Sequence, residues 1–217
     1  MVFLDRRDAG RRLSKKLQKY KEQRVLVLGL PRGGVVVADE IAKALGADLD
    51  VLVARKIGAP QNPELAIGAV TVDGAVLLEE TILSFMNVPD HYISAQAQRQ
   101  KKEIERQLQE YRGKAEPQSF AGRTLIIVDD GVATGMTMKA ALKSVAADTP
   151  AKLVLALPVA PQDTTKQLTR LVDELVILHT PEPFYSVGQW YAQFEQVSDE
   201  QVLEILRPHM RRYSRTE

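Results

Sequence analysis

Five short apolar runs constrain the fold of this chain most: RVLVLGL (24–30), DLDVLVARK (48–56), TLIIV (124–128), KLVLALPVA (152–160) and ELVILHT (174–180). They are continuous rather than alternating, which suits strands covered on both faces in a parallel sheet. Between them stand stretches of helical spacing. VVVADEIAKALG (35–46) ends at a glycine stop, a second runs from about Gly135 to Ala147, and QDTTKQLTRLVD (162–173) is the third. Strand, helix, strand implies a right-handed βαβ unit and a parallel sheet. The expected fold is α/β, an open, mainly parallel sheet flanked by helices.

Other segments decorate that frame. In the first 22 residues Leu4, Leu13, Leu17 and Tyr20 lie among many basic positions, an amphipathic helix whose charges form a solvated face. AIGAVTVDGAVLLE (66–79) turns at Asp73-Gly74, the signal of a β-hairpin. Residues 90–113 form a long polar helix with a narrow stripe of Ile93, Ala97, Ile104, Leu108 and Tyr111. So thin a stripe packs by one edge or against a second copy of the chain, and a homodimer is the expected assembly. From 180 on, an aromatic, irregular segment leads into a short helix and a basic tail.

At 217 residues one domain over 1–217 is expected, with helical insertion at 80–118. The 29 basic and 28 acidic residues balance, so no overall field argues for nucleic acid. Without cysteine there is no disulfide, thiolate metal site or cysteine nucleophile. No run approaches the ~20 apolar residues of a membrane span, and a soluble, cytoplasmic protein is expected.

Ligands of open parallel sheets sit beyond the carboxyl ends of the strands. LPRGG (30–34), ARK (54–56) and DDGVATGMT (129–137) are read as turns at such ends, facing one another. Where the strand before Asp129 gives way to a helix, the backbone N–H groups of Ala133, Thr134, Gly135, Met136 and Thr137, with two hydroxyls, form an anion site. Asp129 and Asp130 would repel a bare phosphate. They fit a ligand that also carries neutral hydroxyls, or Mg²⁺. A sugar phosphate meets both demands.

LIIVDDGVATGMTM (125–138) resembles the signature of the type I phosphoribosyltransferases, which bind 5-phosphoribosyl 1-pyrophosphate. The resemblance implies that Asp129 and Asp130 bind the ribose 2′- and 3′-hydroxyls and that Ala133 to Thr137 hold the 5′-phosphate. It further implies Mg²⁺, met by the two aspartates directly or indirectly. Leu30-Pro31-Arg32-Gly33-Gly34 is similar to the family's pyrophosphate loop, and Arg55-Lys56 to the Arg-Lys of adenine-type members. LPRGG, RKIGAP…NPELAIGAV and VDDGVATG together resemble the predicted, base-unassigned members. Asp129, Asp130, Arg32 and Lys56 are the catalytic candidates. The segment from 180 on takes the place of the family's C-terminal hood. It crowds Phe184, Tyr185, Trp190 and Tyr191 together, and a base could stack on Phe184 and Trp190, although the same rings could simply close the core.

Some positions depart from the pattern. Ala133 stands where 6-oxopurine members carry Asp, LPVAP (157–161) where they place a purine-contacting Lys, and Ala192 where hypoxanthine-type members place an acid. Ala133 agrees with adenine-type members. Rival readings fail on spacing: Gly29 and Gly34 have P-loop spacing, but Val35-Val36 replace the required Lys and Ser/Thr, and no G-x-G-x-x-G follows the first strand. His91, His179 and His209 show no metal spacing. The expectation is therefore a Mg²⁺-dependent phosphoribosyltransferase with a nucleobase acceptor, in nucleotide salvage. The alternative is a regulator that senses phosphoribosyl pyrophosphate without turning it over.

Overall fold

The computed structural model describes residues 2–113 and 119–213, apart from the side chains of 64 and 210–213. In chain order the elements are α1 (Arg6–Lys16), β1 (Val25–Gly29), α2 (Gly33–Leu45), β2 (Asp48–Val51), β3 (Ala54–Ala59), β4 (Asn62–Thr71), β5 (Val76–Leu78) and α3 (Glu80–Met86). They continue with α4 (Asp90–Arg112), β6 (Thr124–Val128), α5 (Met136–Ala147), β7 (Lys152–Val159), α6 (Gln162–Thr169), β8 (Glu174–His179) and α7 (Asp199–Tyr213). Their contacts group into two compact units. One takes the chain up to Leu52, Phe120–Thr134 and the part from Thr149 on; the other takes Val53–Ser119 and Gly135–Asp148. Part of the 80–118 insertion (114–118) and the end of the basic tail (214–217) lie outside the described residues.

The first unit is built on a five-stranded sheet of order β2-β1-β6-β7-β8, parallel throughout. β1 is buried at every position and β7 at all but its first, as expected of strands covered on both faces. Each fully buried Val, Leu or Ile there contributes roughly 1.5–3 kcal/mol relative to exposure. α2 buries Val35, Val37, Ala38, Ile41, Ala42 and Leu45, an i, i+3, i+4 stripe, and stops at Gly46 with φ 67°. α1 lies across α2 and buries Ala9 and Leu13, joined by Leu17 beyond its end. Leu4, placed on that stripe from the sequence, is 54% exposed, and Phe3 is buried in its stead. Phe3 forms a bridge with Tyr191, which ties the N-terminus to the aromatic segment.

The second unit holds a three-stranded antiparallel sheet of order β3-β4-β5. Gly74, at φ 85°, makes the expected hairpin turn between β4 and β5. α4 packs on β3 and β4 and buries Ile104, Leu108 and Tyr111, so this half of its stripe is satisfied within the unit. α5 also packs on β3 and β4.

The reading of DLDVLVARK as one strand is corrected. β2 ends at Val51, Leu52 N donates to Gly29 O at 3.0 Å, and from Ala54 the chain pairs with β4 in the other sheet. An unbroken apolar run hides a change of partner. ARK is accordingly strand rather than turn. The short helix α3 falls inside the helical insertion expected at 80–118. Among the described residues no helix is long and apolar enough to cross a membrane.

Candidate functional site

The strand order reverses at β1: the chain passes from β1 outward to β2, then returns to place β6 on the other side of β1. Such a switch point leaves a crevice at the carboxyl ends of the two central strands, where open α/β sheets bind ligands. Gly29 and Val128, the last residues of β1 and β6, are register partners. The loops 30–34 and 129–135 leave from them side by side. Leu30 N donates to Val128 O at 2.9 Å, and the Pro31–Arg32 peptide is cis.

Gly33 and Gly34 are demanded by contact. A Cβ at Gly33 would run into the Asp130 carboxylate, and one at Gly34 would lie 2.9 Å from both Cα and Oδ1 of Asp129. The glycine loop is thus pressed against the two acids. No side chain caps the first turn of α2, and Val35 N donates to Arg32 O at 3.2 Å, which leaves the N–H groups of Gly33 and Gly34 to face an anion.

The two acids are held differently. Asp129 Oδ1 accepts from the Asp130 backbone N–H at 2.8 Å, whereas Asp130 Oδ2 accepts from Arg6 Nε at 2.7 Å. The side chains of that ion pair are only 11% and 15% exposed. Burial pushes both carboxyls above their usual range; the Asp130 charge adds to the effect at Asp129, while Arg6 opposes it at Asp130. The Arg6 guanidinium lies 3.8 Å above the Phe194 ring and donates through Nη1 to Glu195 O at 2.7 Å. Phe194 stacks on Tyr191 at 4.9 Å, and the Tyr191 hydroxyl donates to Asp130 O at 2.5 Å.

The expectation that the N-terminal charges form a mere solvated face is therefore corrected. Arg6 reaches Asp130, and Arg7 pairs with buried Asp39 at 3.2 Å and with Glu40 at 2.9 Å. The local sequence shows only that these cations sit at a helix start, not which carboxylate they meet. Asp5 accepts from Asp8 N as the N-cap of α1, and two arginines follow it in the first turn. Cations there oppose the helix dipole and need carboxylates from elsewhere.

Beyond the acids, Ala133 O accepts from Thr164 Oγ1 at 2.7 Å, which steadies the loop in the first unit. Between Thr134 and Gly135 the signature passes into the second unit. Gly135 takes the left-handed conformation at φ 77° and N-caps α5, whose first turn again has no side-chain cap. Met136 is buried with Ala69 and Ala140 and so offers only its backbone; Thr134 is exposed and Thr137 half-buried.

The remaining candidates are placed as follows. Arg32 lies 3.9 Å from Asp199 at the start of α7. In the second unit, Arg55 Nε donates to Gln100 Oε1 at 2.6 Å and Lys56 is exposed. Phe184 and Trp190, 6.4 Å apart, pack on the cluster of Phe3, Ala9, Val159 and Tyr191, while Tyr185 is 82% exposed. Trp190 also meets His179 edge-on at 5.0 Å. Among the described residues no group of three or more His, Cys, Asp or Glu could hold a metal ion. Two hard carboxylates without a full cage suit Mg²⁺, which keeps much of its shell for water and phosphate oxygens.

A glycine loop and two adjacent acids meet at the switch point of the parallel sheet of an α/β protein. The chain belongs to the phosphoribosyl transferase family: the family's phosphoribosyl transferase domain matches residues 4–178. Two Mycobacterium tuberculosis proteins, from strains CDC 1551 and H37Rv and each named "putative phosphoribosyl transferase", are 43% identical to it over 94% of the chain. The chain spans about half the length of these relatives, 46%. The crystal structure of TT1426 from Thermus thermophilus is similar at a TM-score of 0.79 and 42% identity, covering 95% of this chain and 98% of that one. Arg6 lies within the matched span, whereas Tyr191, Phe194 and Glu195 lie beyond it.

Proposed function

We propose that the protein transfers ribose 5-phosphate from phosphoribosyl pyrophosphate to a ring nitrogen of a nucleobase, as a salvage enzyme. The observation that carries this reading is the contact of the Gly33-Gly34 loop with Asp129 and Asp130 at the β1/β6 switch point. One ligand must then satisfy an anion loop and two carboxylates within a few ångströms. A sugar bearing a pyrophosphate on carbon 1 and free hydroxyls on carbons 2 and 3 does so.

In the reaction the bond from carbon 1 to the pyrophosphate oxygen breaks, and the electron pair leaves with pyrophosphate. The acceptor nitrogen forms the new bond to carbon 1 and gives up its proton to solvent. Carbon 1 passes through an oxocarbenium-like state, so the protein's contribution is electrostatic. Backbone N–H groups of residues 32–34 with Arg32 receive the pyrophosphate; Arg55 and Lys56 are the cation candidates of the second unit. Asp129 and Asp130 accept hydrogen bonds from the ribose hydroxyls, and the N–H groups of 133–137 hold the 5′-phosphate. Mg²⁺ near the two aspartates would supply charge neutralisation for the leaving group.

For the acceptor, Phe184 and Trp190 are the stacking candidates. Their packing on Phe3 and Tyr191 equally suits rings that close the core. The test is pyrophosphate release from phosphoribosyl pyrophosphate and Mg²⁺ across a panel of nucleobases. Release with at least one base is expected; binding of the donor with no release for any acceptor would leave the protein a sensor rather than an enzyme.

A further inference from the structure

We infer that Arg6 is a positioning residue for ribose recognition: it fixes the Asp130 carboxylate so that its remaining lone pairs face the hydroxyls of the donor. The inference rests on the proposed function and adds to it a residue that acts through Asp130 rather than on the substrate.

Three observations carry it. Arg6 is itself immobilised, with Nε on Asp130 Oδ2 at 2.7 Å, Nη1 on Glu195 O at 2.7 Å and the Phe194 ring 3.8 Å from its central carbon. Asp130 is gripped at its other end, because Tyr191 holds its backbone carbonyl at 2.5 Å. The pair then rests on the anion loop, since a Cβ on Gly33 would lie 2.7 Å from Arg6 Nε as well as striking the carboxylate. The α1 cation and the 191–195 segment thus clamp one carboxylate against the pyrophosphate loop.

The geometry does not block a ligand. An ionised carboxylate offers about four acceptor positions, and Arg6 takes one of them from one oxygen. The Asp129 side chain, hydrogen-bonded to Asp130, takes part of a second, and the positions left over remain for hydroxyls. A carboxylate held in one rotamer loses no side-chain freedom when the ligand arrives, which is how an outer residue raises affinity without touching it. The hydrogen bond from Arg6 goes to Asp130, whereas Asp129 accepts from the Asp130 backbone N–H, so the clamp grips Asp130.

The test is calorimetric titration of Arg6→Met with phosphoribosyl pyrophosphate and Mg²⁺, beside a titration with Mg²⁺ and pyrophosphate alone. Loss of an outer partner of a metal ligand commonly costs 10–100-fold, and on the same scale a weakening of ~10-fold or more is expected for the ribosyl ligand. Pyrophosphate, which has no hydroxyl for Asp130, should bind as it does to the wild type. Arg6→Lys should recover part of the loss, and Phe194→Leu, which removes the ring but keeps the charge, should show a smaller loss of the same selectivity. These two variants carry the test if Arg6→Met does not fold. Wild-type affinity for phosphoribosyl pyrophosphate in the variants, or equal loss for both ligands, overturns the inference alone. A wild-type protein that does not bind phosphoribosyl pyrophosphate overturns the functional reading and this inference with it.

Discussion

Asparagine substitutions at Asp129 and Asp130 should act on stability differently, although the residues are neighbours of one type. From the sequence, two adjacent charges repel and their joint removal should leave stability unchanged or higher. The structure divides the effect. Asp130→Asn leaves the Arg6 guanidinium, 11% exposed, without its carboxylate. Breaking a buried pair costs about 3–5 kcal/mol. The asparagine oxygen can still accept from Nε, and such a neutral bond returns about 1 kcal/mol. Relief of the burial that raises the Asp130 carboxyl offsets part of this, so a net loss of up to ~2 kcal/mol follows, at most about 4–8 °C in Tm for a chain of this size.

Asp129→Asn removes a carboxyl that, among the described residues, makes no ion pair, and Asn keeps an oxygen for the Asp130 N–H. Its stability should hold or rise at neutral pH. The sign with pH is fixed by the raised folded-state pKa of Asp129, caused by burial and then by the Asp130 charge. Its ionisation penalty is absent below the unfolded carboxyl value near 3.9 and grows as pH climbs toward the folded value. The advantage of Asp129→Asn should therefore vanish toward pH 3–4. Thermal melts of both variants across pH are the assay. Equal destabilisation by the two, or a gain from Asp130→Asn, refutes the assignment of Arg6 to Asp130.

Gly33→Ala should nearly abolish binding of phosphoribosyl pyrophosphate in calorimetry, since its Cβ occupies the place of the Asp130 carboxylate; Gly46→Ala, whose Cβ meets nothing, should leave that binding intact while straining φ 67°. Thr164→Val removes the hydroxyl bonded to Ala133 O and should lower stability by about 1 kcal/mol in a chemical melt, with a weaker affinity for ribose 5-phosphate. If a nucleobase stacks on the sole tryptophan, its binding should change Trp190 fluorescence and weaken in Trp190→Ala; no change in either would leave Trp190 a core residue.

Much of the first unit was legible in its apolar runs. RVLVLGL, TLIIV and KLVLALPVA contain β1, β6 and β7, because a strand covered on both faces has no other composition open to it. The switch from β2 to β3 was hidden, since Val51, Leu52 and Val53 are buried on both sides of the break and carry no mark of a new partner. Asp129, Asp130 and the glycines were legible from local chemistry. The Arg6–Asp130 pair spans 124 positions and was not, because an arginine among many in a basic helix has no local sign of its partner. Tyr191 and Phe194 were obscured in the same way. An aromatic cluster in an irregular segment does not announce which ring meets the site. Phe194, outside the four rings singled out from the sequence, is the one beneath Arg6.

The most direct test of the account is calorimetric titration of the wild-type protein with phosphoribosyl pyrophosphate in the presence of Mg²⁺, repeated on the Asp129→Asn, Asp130→Asn double variant checked for folding. Saturable binding at one site per chain is expected for the wild type, and its loss in the double variant. No binding by the wild type, or equal binding by both proteins, would contradict it.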